Sequence, residues 1–179
     1  MRQRWRYRLA ALVIRVQDLR IYRRMARRLV GRIDVREATP EEAVIVRARP
    51  SAVGHAQGGP SSRVTVFVAV RPRGRIAGWN YLQRNSSDTP LPGYVLTGVY
   101  VRLAYRGSGL GRWLMGAPIE LARSEGAGSV LTMVSPLNKR AIELYRRLGF
   151  EPAPDVWPEW QREMDERHPS ERLVMRLGL

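Results

Sequence analysis

The chain has 179 residues and a formal net charge of +15, and its length suits one domain with its own hydrophobic core. It contains no cysteine and two histidines, which excludes disulfides, thiolate metal sites and a cysteine nucleophile, and no metal site is expected. The apolar run at residues 9–14 is too short for a signal peptide, and no stretch reaches the roughly 18–20 apolar residues of a membrane span. We therefore expect a cytoplasmic protein.

Residues 1–31 are predicted to form a basic, helical arm. Residues 1–30 contain ten arginines and one acid, Asp18, a net charge of +9. Apolar residues recur in steps of three and four, the spacing of one face of a helix, and Gly31 predicts its end. Those residues are Trp5, Leu9, Leu12, Val16 and Leu19. Such a helix packs on its own domain or on a second copy of the chain, or binds RNA or an anionic surface, and the sequence leaves these alternatives open.

Residues 32–179 alternate strand and helix patterns and are predicted to form one α/β domain. Thr39 and Pro40 predict the start of a first helix, as N-cap and first helical residue. Residues 50–62 are rich in glycine, proline and serine and predict a loop. The predicted strands cover residues 33–37, 64–71, 76–83, 94–101, 129–134 and 172–177. Two further helices are predicted over residues 109–125 and 138–148.

A glycine-rich loop joins the predicted strand at residues 94–101 to the helix that follows. Glycine lets the main chain approach an anion without a side chain in the way, and the free N–H groups at a helix start favour phosphate oxygens. The loop does not open a strand–helix–strand unit of the dinucleotide-binding kind, and it lacks the Gly-Lys-Ser/Thr of a Walker motif. The residues of this glycine loop are Arg106, Gly107, Ser108, Gly109, Leu110, Gly111 and Arg112.

The glycine loop resembles the cofactor motif of the GNAT family of N-acetyltransferases, Arg/Gln-x-x-Gly-x-Gly/Ala. Residues 98–105 are similar to that family's splayed fourth strand and the turn after it, with Leu103 in place of a frequent proline. Residues 138–151 are similar to its second motif over their whole length. The resemblance implies a mixed, mostly antiparallel central sheet of about six to seven strands flanked by helices. It also implies acetyl-CoA as the co-substrate.

The resemblance further implies roles for individual residues. Tyr145 would protonate the departing thiolate, since the ordinary pKa of a phenol, near 10, lies only modestly above that of a thiol. A plain aromatic anchor on a helix is the alternative for this residue. The glycine loop would bind the pyrophosphate, and the strand backbone would lie along the pantetheine arm. The residues implied in cofactor binding are Val99, Tyr100, Val101, Arg106, Gly107, Ser108, Gly109, Leu110, Gly111, Arg112 and Asn138.

The general base is not evident from the sequence. Some relatives that acetylate protein N-termini place a glutamate five residues before the motif asparagine, and here that position is Met133. The alternatives for the base are a water relay, an acid from the last loop, and several individual side chains. Those side chains are Glu37, Thr97, Tyr100 and Ser135.

Residues 151–171 carry a net negative charge, opposite to that of the whole chain, because they contain seven acids against Arg162 and Arg167. The family uses this region to border the acceptor, so Trp157, Trp160 and nearby carboxylates are candidates to receive a cationic amine. A solvated helix that docks against the basic arm, within one chain or across a homodimer, is the alternative.

The resemblance as a whole implies an N-acetyltransferase that acts on a primary amine by direct attack in a ternary complex. The acceptor is a small molecule, or a peptide or protein. One alternative is an aminoacyl-tRNA acetyltransferase that uses the basic arm to hold RNA. Another is a module that binds acyl-CoA without catalysis.

Overall fold

The computed structural model describes residues 32–48, 62–89, 91–156 and 172–179. The predicted arm over residues 1–31 lies outside these ranges, as do residues 50–61 of the predicted loop and residues 157–171 of the acidic segment.

Seven strands within the described ranges form one sheet, in the order β1-β2-β3-β4-β5-β7-β6. Only β4 and β5 run parallel, and the other neighbouring pairs are antiparallel, so the predicted mixed, mostly antiparallel sheet is confirmed. The shortest strand, β6, was not predicted, because two residues carry no periodic pattern. The strands are β1 (Asp34–Glu37), β2 (Arg63–Arg71), β3 (Arg75–Asn85), β4 (Gly93–Val101), β5 (Ser129–Val134), β6 (Glu151–Pro152) and β7 (Leu173–Gly178).

The described helices are α1 (Pro40–Arg47), α2 (Leu110–Ser124) and α3 (Lys139–Arg147), with a short 3-10 turn at Leu103–Tyr105. The predicted start of α1 is confirmed. The Thr39 side chain accepts from the Glu42 N–H at 3.3 Å, and the Glu42 carboxylate accepts from the Thr39 N–H at 3.0 Å, which forms a capping box. No helix in the described part of the chain is long and apolar enough to cross a membrane.

The helices lie on opposite faces of the sheet, and each face buries its own apolar cluster. On one face, which we call the α1 face, Val46 of α1 packs with Trp79 and Tyr81 of β3. On the other, the α2/α3 face, Met115 and Tyr145 pack with inward side chains of the central strands. Alternate residues of a strand point to opposite faces, so one strand supplies both clusters. The strand contributions to the α2/α3 face include Phe67, Leu82, Leu96, Val130 and Val134.

One side-chain hydrogen bond ties α2 to the sheet. Pro118 lies inside α2 and has no N–H, so it cannot donate to the carbonyl of Leu114 four residues earlier. Asn80 of β3 is fully buried, and its Nδ2 donates to that carbonyl at 2.8 Å. The sheet thus supplies the donor that the helix lacks, and we call this contact the Asn80 hook.

Candidate functional site

Strands β4 and β5 pair only over their first residues and then separate. Their register ends where Leu96 lies opposite Thr132. Beyond that point β4 continues through residues 97–101, paired with β3 on its other side, while the end of β5 pairs with β7. The separating strands form a fork, along whose inner edge residues 98–101 of β4 do not pair with β5.

An irregularity in β4 accounts for the fork. Gly98 and Val99 together lie opposite the single residue Asn80, which makes a β-bulge, and Gly98 has the left-handed φ of 61°. An extra residue on one strand bends that strand and increases its local twist, and here the bend turns β4 away from β5. Regular pairing brackets the bulge, at Thr97 with Tyr81 and at Tyr100 with Trp79.

The glycine loop follows the end of β4 and adopts the conformation that its glycines predict. Gly107 and Gly109 have φ values of 76° and 95°, which disfavour any residue with a side chain. A Cβ built on either glycine would meet no atom within 4 Å, so the loop is open on this side. Gly109 is the N-cap of α2 and provides no side-chain hydrogen bond to the helix start.

Several main-chain N–H groups of the loop remain available to a ligand. The N–H groups of Gly107, Gly109 and Gly111 donate to no acceptor within the part of the chain that the structure describes. The first turn of α2 carries no acid, and Arg106 and Arg112 are exposed at the two edges of the loop. These N–H groups, the helix dipole and the two guanidinium groups together favour an anion.

Other residues of the loop stabilise it from within. The Ser108 side chain is buried, where its hydroxyl donates to the Tyr105 carbonyl at 2.5 Å and accepts from the Leu110 N–H at 3.3 Å. Leu110 is fully buried under the loop. A Cβ on Gly111 would lie 3.2 Å from Cδ2 of Leu144, so this glycine permits the close approach of α3.

Aromatic side chains line the α1 face of β4 at the fork. Tyr100 stacks on Trp79 with ring centroids 4.2 Å apart. The guanidinium of Arg106 lies 5.9 Å from the centroid of the Tyr100 ring, and its Nε donates to the Val101 carbonyl at 2.9 Å. Arg106 therefore connects the glycine loop to the end of β4.

Tyr145 of α3 reaches the closed end of the fork from the α2/α3 face. Its side chain is buried, and its surroundings are apolar apart from Thr132. Burial raises the pKa of the Tyr145 phenol, and the Thr132 side chain opposes this rise. The structure therefore places the Tyr145 phenol beside the point where β4 and β5 part.

Asn138 lies at the start of α3, where its side chain accepts from the Ala141 N–H at 3.2 Å. Asn138 is thus the N-cap of α3. The preceding residue, Leu137, has 88% of its surface exposed, which is unusual for a large apolar side chain. Both residues border the β5 arm of the fork.

The candidate bases occupy different places. Glu37 is exposed on β1, which β2 and β3 separate from β4, so it does not reach the fork. Thr97 and Tyr100 lie on the open part of β4. Ser135 follows β5, and its hydroxyl accepts from the Leu137 N–H at 3.3 Å. Met133 is partly buried among apolar side chains on the α1 side of β5.

The sequence singled out the glycine loop and Tyr145 as candidates, and it did not single out Thr132. The missed signal lies in β5, where Val130, Thr132 and Val134 share one buried face. A threonine between two valines in such a row is a buried hydroxyl that needs a partner.

Comparison with known proteins identifies relatives whose alignments cover about half of the chain. The chain is 34% identical over 92 residues to streptothricin acetyltransferase of Streptomyces lavendulae, an alignment covering 51% of this chain and 47% of that protein. It is 37% identical over 84 residues to mycothiol acetyltransferase of Corynebacterium aurimucosum, covering 46% and 27%. The chain thus spans less than half the length of either relative.

The fold is also that of known acetyltransferases. A Bacillus subtilis acetyltransferase solved in complex with CoA superposes with a TM-score of 0.58 at 18% identity, covering 83% of this chain and 98% of that one. The model of the acetyltransferase (GNAT) family matches residues 29–150, well over half of the chain. The chain therefore belongs to the GNAT acetyltransferase family.

Proposed function

We propose that the chain is an N-acetyltransferase that transfers the acetyl group of acetyl-CoA to a primary amine of a small molecule. The observation that carries this proposal is the position of the glycine loop at the end of β4, beside the fork between β4 and β5. An anion site and an unpaired strand edge are adjacent there. A ligand with a diphosphate at one end and an extended amide-containing arm fits both features.

Acetyl-CoA supplies a thioester-activated acetyl group and a diphosphate. In the proposal, the N–H groups of Gly107, Gly109 and Gly111 bind the diphosphate, with Arg106 and Arg112 adding charge. The main chain of Val99, Tyr100 and Val101, which does not pair with β5, binds the amide-containing arm and offers an N–H to the thioester carbonyl. The amide of Asn138 is placed at the opposite arm of the fork. These roles rest on the loop conformation and the family resemblance.

Tyr145 is proposed as the general acid. The attacking amine expels a thiolate, which takes the phenolic proton of Tyr145 while the amine nitrogen loses a proton to water at the open fork. A phenol with the ordinary pKa of about 10 is protonated through the neutral range, and burial raises the pKa of Tyr145 further. That is the state in which it serves as an acid.

The names of relatives support a small-molecule acceptor. Streptothricin acetyltransferase of Streptomyces lavendulae and an L-methionine sulfoximine/L-methionine sulfone acetyltransferase of Pseudomonas aeruginosa are both named for small molecules. Peptide amines and the amine of aminoacyl-tRNA are the alternatives to be separated by assay.

The test is a thiol-release assay with acetyl-CoA and a panel of small amines, peptides and charged tRNA, together with calorimetry of CoA binding. We expect CoA to bind and thiol release to depend on a small amine. Release with peptides or tRNA alone would move the acceptor to another class. CoA binding without release from any acceptor would favour a binding module, and the absence of CoA binding by folded protein would contradict the proposal entirely.

A further inference from the structure

The side chain of Tyr100 makes contacts that the binding role of its main chain does not use. Its ring stacks on that of Trp79, with centroids 4.2 Å apart and ring planes inclined by 22°. Trp79 is 1% exposed and packs among the apolar side chains of the α1 face, so it is a fixed support. The Tyr100 ring is therefore held in one orientation at the fork.

The main chain of β4 at this point is held by β3, independently of the ring. Tyr100 pairs with Trp79 in the β3–β4 ladder. Just beyond, the Arg102 N–H donates to the Ala77 carbonyl at 2.8 Å. A Cβ on Gly78 would lie only 2.7 Å from the Tyr100 carbonyl oxygen, so the two strands are in close contact there. A change of the Tyr100 side chain should thus leave the path of β4 in place.

Arg106 of the glycine loop lies over the Tyr100 ring. Its guanidinium carbon, Cζ, is 5.9 Å from the ring centroid, within the range of a cation–π contact. Its Nε donates to the Val101 carbonyl at 2.9 Å, while its two terminal nitrogens donate to no acceptor in the described part of the chain. An arginine has five N–H donors in a planar fork. The ring and the carbonyl therefore orient the guanidinium and leave the four terminal N–H donors for a ligand.

We propose that the side chain of Tyr100 is a positioning residue for Arg106, which it holds ready for the diphosphate of acetyl-CoA. This inference rests on the proposed function, in which Arg106 adds charge to the diphosphate site. A surface arginine samples many rotamers, and it loses that freedom when it binds an anion. Contacts that order the side chain before the ligand arrives reduce this entropic cost. The ring of Tyr100 is the part that acts, because the cation is attracted to its π face.

The experiment compares Tyr100→Leu and Tyr100→Phe in the wild-type chain and in the Arg106→Ala variant. We expect Tyr100→Leu to raise the KM for acetyl-CoA about 5-fold with kcat within about 2-fold, because the diphosphate is bound less tightly. Tyr100→Phe keeps the ring and should restore the KM to within about 2-fold of the wild type. In the Arg106→Ala background, Tyr100→Leu should raise the KM no further, because the guanidinium that the ring orients is absent.

Two fragments of the cofactor show which end is affected. ADP carries a diphosphate without the amide-containing arm, and pantetheine carries the arm without a diphosphate. Each is measured as a competitor of acetyl-CoA. We expect Tyr100→Leu to raise the inhibition constant of ADP about 5-fold and that of pantetheine less than about 2-fold, because β3 still holds the main chain of β4.

Tyr94→Leu is the matched control. Tyr94 lies near the start of the same strand, and the guanidinium of Arg84 is also 5.9 Å from its ring centroid. Arg84 pairs with Glu125 at 2.5 Å, at the opposite end of α2 from the glycine loop. We expect a lower melting temperature with the KM and kcat unchanged. Thermal unfolding of each variant separates a loss of fold from a loss of function.

The outcomes distinguish this inference from the function beneath it. The positioning role is wrong, while the proposed function stands, if Tyr100→Leu raises the KM by the same factor in both backgrounds or if pantetheine loses affinity as ADP does. It is also wrong if phenylalanine fails to restore the KM of a folded protein, or if Tyr100→Phe lowers kcat, which would assign a role to the hydroxyl. If Arg106→Ala leaves the KM unchanged, both roles of Arg106 are wrong. If the wild-type chain neither binds CoA nor releases thiol from acetyl-CoA with any amine, the proposed function itself fails.

Discussion

Each face of the sheet buries a tyrosine, and the surroundings of the two hydroxyls differ. Tyr145 on the α2/α3 face and Tyr81 on the α1 face are both buried, and burial raises the pKa of both, that of Tyr81 to about 12. The Thr132 side chain opposes the rise in the pKa of Tyr145 at the fork, whereas the Tyr81 hydroxyl has no hydrogen-bond partner among the described residues. Burial alone therefore does not distinguish the two tyrosines, and the position of Tyr145 beside Thr132 and the fork is what supports its proposed role as the acid.

The largest expected effect is that of Tyr145→Phe. Loss of the phenolic proton donor should lower kcat about 100-fold while the Kd for CoA changes less than about 2-fold. Steady-state thiol release and calorimetry measure the two quantities. A wild-type kcat in this variant would leave Tyr145 as an aromatic anchor, and the contrast between the two tyrosines would lose its meaning.

The next largest effect is expected at the Asn80 hook. This contact holds α2 on the α2/α3 face, which carries the candidate site and differs in this respect from the α1 face. Asn80→Ala should lower the free energy of unfolding by about 1–3 kcal/mol, since the Leu114 carbonyl is left buried without a donor. Pro118→Ala in that background should recover part of the loss, because the new N–H can donate to this carbonyl.

Chemical denaturation of the wild type, both single variants and the double variant gives the coupling between positions 80 and 118. Strictly additive effects would show that the two residues do not share the carbonyl.

The conformation of the glycine loop is tested by two alanine substitutions in neighbouring parts of the chain. Gly109→Ala should lower the free energy of unfolding by about 1–2 kcal/mol because of its left-handed φ of 95°. It should also weaken CoA binding by roughly 10-fold, about 1.4 kcal/mol. Gly116 lies within α2, and a Cβ there meets nothing within 4 Å.

Gly116→Ala is therefore the matched control, with stability raised by about 0.5–1 kcal/mol and CoA binding unchanged. Equal effects of the two substitutions would contradict a special role for the loop conformation. Thermal unfolding and calorimetry supply both measurements.

The smallest effect is expected from Tyr81→Phe. Removal of a buried hydroxyl that has no described partner should change the free energy of unfolding by no more than about 1 kcal/mol, in the stabilising direction. The kcat should stay at the wild-type value. A large loss of activity would break the comparison, because it would place a functional hydroxyl on the α1 face as well.

Much of this architecture could be predicted from local patterns. The bounds of β5 at residues 129–134 follow from its β-branched run, and Thr39 and Pro40 predict the start of α1. The loop glycines were identified because left-handed conformations require glycine. Such features depend on residues close together in the chain.

The remaining features depend on contacts that no local pattern reveals. The β4 segment is apolar at nearly every position, so it carries no alternation that would locate the bulge at Gly98. The Asn80 hook joins residues 34 apart, and the tie between Thr132 and Leu96 joins residues 36 apart. The prediction that residues 1–31 form a basic helix stays a prediction, because those residues lie outside the described ranges.

The Asn80 hook restricts the position of α2 along its own axis on the sheet. A helix held to a sheet by apolar contacts alone can shift along its axis at little cost, because such contacts are not directional. A carbonyl matched to one buried amide permits a single axial setting. The start of α2, four residues before Leu114, is thereby held at a defined height above β4. The distance between the free N–H groups of the glycine loop and the edge of β4 is then fixed, and under the proposed function it sets the length of cofactor that fits between them.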